Sequence, residues 1–118
     1  MSNYASDHLR LDDRSLALHV LIADKLSANP ALLAIARDNI QRWQTVSGGT
    51  SPALVEWAAI LAGPLDQISA ILTSASENAK RLRQSSPFAG ILTETERRAV
   101  SESFSARTYY PGGQRNFG

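Results

Sequence analysis

The chain has 118 residues, 43% of them hydrophobic and 19% charged, values that support a folded core and exclude disorder over most of the length. It holds no cysteine, which excludes disulfides and thiolate-bound zinc or iron–sulfur sites, and its net charge of +1 is too small to mark a nucleic-acid binder by bulk electrostatics. The charge is uneven: residues 1–76 carry five Lys/Arg against seven Asp/Glu and residues 77–118 carry seven against four, so the basic end is C-terminal.

The opening MSNYASDHLRLDDR has no basic segment followed by an apolar run, and no stretch approaches the roughly 20 apolar residues that span a bilayer. A soluble cytoplasmic protein with a flexible N-terminus over 1–11 is the expectation. A first helix is predicted from Asp12 or Asp13, whose carboxylates suit the positive end of a helix dipole. Its apolar face is Leu18, Leu21, Ile22 and Leu26, widened by Leu16 and Val20. Four pairs, Asn29-Pro30, Ser51-Pro52, Gly63-Pro64 and Ser86-Pro87, put a residue that can cap before a proline that suits a first helical turn. They predict helices from Pro30 to about Val46, with Leu32, Leu33, Ile35, Ala36, Ile40 and Trp43 on one side, and over 52–62, with Leu54, Trp57, Ala58, Ile60 and Leu61.

After Pro64 the residues Leu65, Ile68, Leu72, Ala75, Ala79 and Leu82 recur in steps of three and four, a heptad seam that predicts one long helix over 64–84. The competing reading is a capping box at Ser74-Ala75-Ser76-Glu77 that splits it; the unbroken phase favours the single helix. A tight joint follows, SSPFAGIL, before Thr93-Glu94-Thr95-Glu96 writes a capping box for the last helix. Phe88, Ile91 and Leu92 either plug the base of the fold or form an apolar centre rimmed by Lys80, Arg81, Arg83, Arg97 and Arg98. Beyond Phe104 the pattern fades into ARTYYPGGQRNFG, a flexible aromatic and Gly-rich tail over 106–118 that either frays or orders on a partner. No run alternates with period two. The fold class is all-α, a compact bundle or orthogonal array of five or six helices forming one domain over 12–105.

Catalytic signatures are missing from the sequence. His8 and His19 form no HxxxH pair, no acidic cluster completes a metal site, no serine sits in a G-x-S-x-G elbow, and Gly48-Gly49 lacks the lysine of a phosphate loop. Neither an enzyme nor a cofactor is expected. His19 reads as a structural histidine beside its helix's apolar face, and Trp43 and Trp57 as core.

The run RLRQSSPFAGILT at 81–93, with LALH at 16–19 and IQRW at 40–43, resembles a set of small bacterial all-helical proteins with an LRQSSPFAG-type signature. These are similar to antitoxin-like partners of a neighbouring toxin gene, some with a separate helix-turn-helix domain. The likeness covers residues 12–104 and implies a cytoplasmic, non-catalytic protein that binds and neutralises a toxin. The expected partner-binding residues are Arg81, Arg83, Gln84, Phe88, Arg97 and Arg98 at the joint and Tyr109, Tyr110 and Arg115 in the tail. Rival readings are a small nucleic-acid-binding regulator and a self-associating structural or phage-associated assembly protein, whose seam would serve a homo-oligomer. Against the regulator, the third helix has no arginine, lysine, asparagine or glutamine to read bases, and TVSGGTS is a long linker for a helix-turn-helix.

Overall fold

Apolar residues at helical spacing, interrupted by proline and serine, build six α-helices and no strand among the described residues. The computed structural model describes the backbone of residues 4–47 and 51–109 and the side chains of residues 12–46 and 51–103. Helix α1 runs Tyr4–Ala28, upstream of the start expected at Asp12 or Asp13. At Asn29-Pro30 the chain turns by 120°. Pro30–Leu32 form a single 3₁₀ turn, without a side-chain bond from Asn29, and lead into α2, Leu33–Ser47. Helix α3, Pro52–Leu61, is capped as its sequence predicts: the Ser51 side chain accepts from the Leu54 amide at 3.2 Å.

The single long helix expected over 64–84 is two helices, α4 (Leu65–Thr73) and α5 (Glu77–Arg83). The seam itself holds: Ile68, Leu72, Ala79 and Leu82 are all buried, whereas Ala75 lies in the break and is exposed. Serine chemistry explains the interruption. Ser76 caps α5 through a bond from the Ala79 amide at 3.2 Å, and Ser74 Oγ takes the Ser76 amide at 3.0 Å. Both side chains offer the backbone a local alternative to helix. The last helix, α6, is Glu94–Tyr109, continuing past Phe104 where its end was expected. Its capping box is complete, with Glu96 N–H donating to Thr93 Oγ1 at 3.1 Å and Thr93 N–H to Glu96 Oε1 at 2.7 Å.

Helix α1 is the element around which the others gather: it packs against α4, α5 and α6, while α2 and α4 flank α3. One core results, from Ile22 and Leu26 of α1, Leu33, Ala36 and Ile40 of α2, Trp57 and Leu61 of α3, Ile68 and Leu72 of α4, Leu82 of α5, and Phe88, Ile91 and Leu92 of the joint. Val20 and Ala58, expected on buried faces, are exposed. Among the described residues no single helix is long and apolar enough to cross a membrane.

Candidate functional site

Ser86-Pro87, predicted to open a helix, opens none. The backbone has no regular structure from Ser86 to Phe88 and then turns at Ala89-Gly90, where Ile91 N–H donates to the Phe88 carbonyl at 3.3 Å. Gly90 sits at φ +92°, a conformation that a side chain disfavours and that glycine adopts without cost. Side chains from distant elements take the hydrogen bonds that a helix would have made. Asn39 of α2 donates to the carbonyls of Pro87 and Ala89, each at 2.9 Å, and its own oxygen accepts from Arg42. Lys25 of α1 donates to the Ile91 carbonyl and to Glu96 Oε1, both at 2.9 Å. The Thr93 amide and the Lys25 ammonium hold the Glu96 carboxyl below the usual carboxylate range.

Beneath the joint, Phe88 is 3% exposed and its ring stands edge-on to Trp57, with centroids 5.3 Å apart. Trp57, fully buried, donates its indole N–H to the Leu82 carbonyl at 2.8 Å. On the other side of Phe88 is His19, 6% exposed. Its Nδ1 lies 2.7 Å from the Ser15 carbonyl, which only accepts, so Nδ1 carries the proton. In the neutral ring Nε2 is then an acceptor, and Ser86 Oγ at 2.8 Å donates to it. Burial lowers the His19 pKa; the Ser15 bond opposes that, and the Arg83 charge adds to it. The neutral imidazole is the form that the fold favours.

The predicted rim of arginines is divided by the structure. Arg81 points to α3 and forms a two-pronged ion pair with Glu56 at 2.8 and 3.0 Å. Arg83 is 5% exposed, and its Nη1 donates to the carbonyls of Ile71 and Ser74 at 3.0 and 2.6 Å, closing the C-terminal end of α4. Burial lowers its pKa, against the Asp12 charge. Arg83 and Phe88 are therefore buried members of the fold: of the two readings of Phe88, the plug at the base is the one the structure shows, and neither side chain is the exposed partner contact that the binding reading needs. Gln84 is exposed and shares a pocket with Asp12, Ser15, Lys80 and Arg83.

Arg97 and Arg98 do reach an open surface. A pocket of about 280 Å³ lies between α1, the joint and α6, walled by Leu18, Ile22, Phe88 and Leu92, with His19 and Ser86 within it and Arg97 at its edge. Leu18 and Arg97 also line the adjoining pocket, with Arg14, Arg98, Glu94 and Ser101. Glu94 lies 3.4 Å from Arg97 and 3.7 Å from Arg98, one carboxylate among three guanidinium groups. The result is an apolar groove with a basic end. Tyr109 is the last residue of α6, and Tyr110 and Arg115 lie outside the described residues.

Sequence reasoning passed over Asn39, Arg14, and the meeting of His19 with Ser86 across 67 positions. A polar Asn39 on the apolar side of α2, between Ala36 and Ile40, was the signal for the first. No local spacing announces the other two. Among the described residues no three His, Asp or Glu side chains gather as a metal site. Comparison with protein-family models, curated proteins and solved structures found no match.

Proposed function

We propose that this chain is an antitoxin-like protein-binding module, acting in the cytoplasm, that takes an acidic amphipathic segment of a partner toxin into the groove between α1 and α6 and neutralises it by steric blockade. The observation that carries this reading is the apolar groove running into Arg14, Arg97 and Arg98, where among the described lining residues Glu94 is the one carboxylate. An apolar centre with a charged edge is the usual anatomy of a protein-binding patch. The basic edge favours an acidic partner surface and speeds encounter with it. The buried joint does not insert into the partner; it fixes the relative position of α1 and α6, the two walls. Substrate mimicry by acidic groups is disfavoured, because the exposed charge here is positive.

The test is capture from the native host with the full chain as bait, after nuclease treatment, alongside an Arg97→Glu/Arg98→Glu variant. The expected result is one stoichiometric protein partner, with an association rate reduced on the order of tenfold or more by the variant at low salt. Both substitutions are at exposed positions, so the melting temperature should hold. Recovery of nucleic acid without a protein partner, or equal capture by both chains, would overturn the reading.

A further inference from the structure

We propose that Ser86 is a nucleophile activated by His19, and that the pocket on which it lies accepts esters of short apolar acyl chains. The inference goes beyond partner binding and does not depend on it. Serine is a weak nucleophile unless a base within hydrogen-bonding reach takes its proton and a third group orients that base. All three parts are present. Ser86 Oγ is 2.8 Å from His19 Nε2, and the Ser15 carbonyl, 2.7 Å from Nδ1, holds the ring in the tautomer whose free lone pair faces the serine. A backbone carbonyl thus stands where a carboxylate orients the ring in the familiar triad. His19 is fixed on α1 against the edge of Phe88, and Ser86 is fixed by the Phe88 amide at 3.4 Å as well as by the imidazole.

The surroundings suit acyl transfer. Leu18, Ile22, Phe88 and Leu92 offer apolar walls to an acyl chain within about 280 Å³, and Ser86 is half-buried on the same pocket. Developing negative charge on the carbonyl oxygen needs donors that are already in place. Arg97 and the turn residues Ala89 and Gly90 line the pocket, and among the described residues the amides of Ala89 and Gly90 donate to no acceptor. The step balances as follows. Ser86 Oγ bonds to the ester carbonyl carbon while its proton passes to His19 Nε2. The ester C–O bond then breaks, and the alcohol departs with that proton. Water, giving a proton to His19, attacks acyl-Ser86 and releases the acid, which restores Ser86–His19.

The test uses the full native chain. A fluorophosphonate probe should add one phosphonyl group to Ser86, located by peptide mapping, and should stop hydrolysis of p-nitrophenyl butyrate. His19→Gln should slow both reactions by about 10²–10⁴-fold, the usual contribution of a general base. Ser86→Ala should abolish the adduct, and Ser86→Gly, which also lacks the hydroxyl and should likewise show no adduct, covers a failure of the alanine variant to fold. The native chain's hydrolysis should rise with pH through the lowered His19 pKa and level off above it; the charged groups that face this site are Arg83 of α5, whose charge also lowers that pKa, and Arg97 of α6, on the wall of the same pocket. Absence of an adduct on the folded native chain would overturn the proposal. So would an adduct spread over other serines, or equal labelling of folded His19→Gln. Because Ser86→Ala leaves Arg97 and Arg98 untouched, loss of esterolysis with retained partner capture separates the two readings.

Discussion

Between α4 and α5 the chain leaves helix for three residues, Ser74 to Ser76, and between α5 and α6 it leaves helix from Gln84 to Thr93. The first break is made by its own side chains. Ser74 and Ser76 satisfy nearby amides, Ala75 is exposed, and the outside contribution among the described residues is Arg83, which reaches back to the carbonyls of Ile71 and Ser74. The joint makes a few bonds of its own, Ile91 N–H to the Phe88 carbonyl and Phe88 N–H to Ser86 Oγ among them, but most of its support comes from elsewhere: His19 and Lys25 on α1, Asn39 on α2 and Trp57 on α3 all hold or pack on it. A short break can be specified locally, whereas a longer one stays ordered only when distant elements take up its polar groups and bury its apolar ones. That arrangement also brings a serine and a histidine to a single pocket.

The largest test of this contrast is Phe88→Ala. Phe88 is buried between Trp57 and His19, so truncation removes a central ring of the core and should cost about 3–5 kcal/mol in denaturant unfolding. Domains of this kind have only about 5–15 kcal/mol in all. A loss below about 1 kcal/mol would place the joint with the local break and mean that Phe88 contributes little to the core.

Arg83→Ala probes the other side of the comparison. It removes two charged hydrogen bonds from the end of α4 and should cost about 1.5–3 kcal/mol, read as a shift of the urea midpoint at constant slope. The effect should stay below that of Phe88, because the buried guanidinium also leaves Nε without a partner and so returns less than its bonds suggest. An effect as large as that of Phe88 would mean that the break depends on tertiary support as fully as the joint does.

What the sequence disclosed follows the same division. Ser51, Thr93 and Glu96 make the caps that their spacing foretold, since a cap is a contact within one turn. The core faces of α2 through α5 and the all-α class were legible for a related reason: helical periodicity is local and burial follows it. Three features were not legible. Ser86-Pro87 has the form of a helix start, yet His19 and Asn39 divert its hydrogen-bonding groups, and both lie on other helices. Arg81 and Arg83, two positions apart, are alike in sequence; helix rotation sends one outward to Glu56 and the other beneath the end of α4. Of the basic rim, only Arg97 and Arg98 reached the open groove, joined there by Arg14 from α1. The seam from Leu65 to Leu82 kept its phase through a break because three non-helical residues moved the chain little enough for Ala79 and Leu82 to return to the same side.

The smallest expected effect belongs to Ser76→Ala, and it bears most directly on whether the α4–α5 break is local. Helix α5 has seven residues, too few to persist alone, so its start rests on a cap, on the acidic Glu77 in its first turn and on the burial of Ala79 and Leu82. Removing the Ser76 hydroxyl leaves the Ala79 amide without its acceptor and should cost about 1 kcal/mol, whereas Ser76→Gly should cost only a few tenths, because glycine leaves that helix end open to water. The ordering of those two variants is the measurement that matters. A purely local cap makes alanine worse than glycine, while a break imposed by packing would make the two alike and would keep α4 and α5 apart in both. Amide exchange at Ala79 separates the cases: faster exchange in the alanine variant with the core unchanged means that the cap acts alone, and slower exchange means that the long helix implied by the seam was held back only by serine.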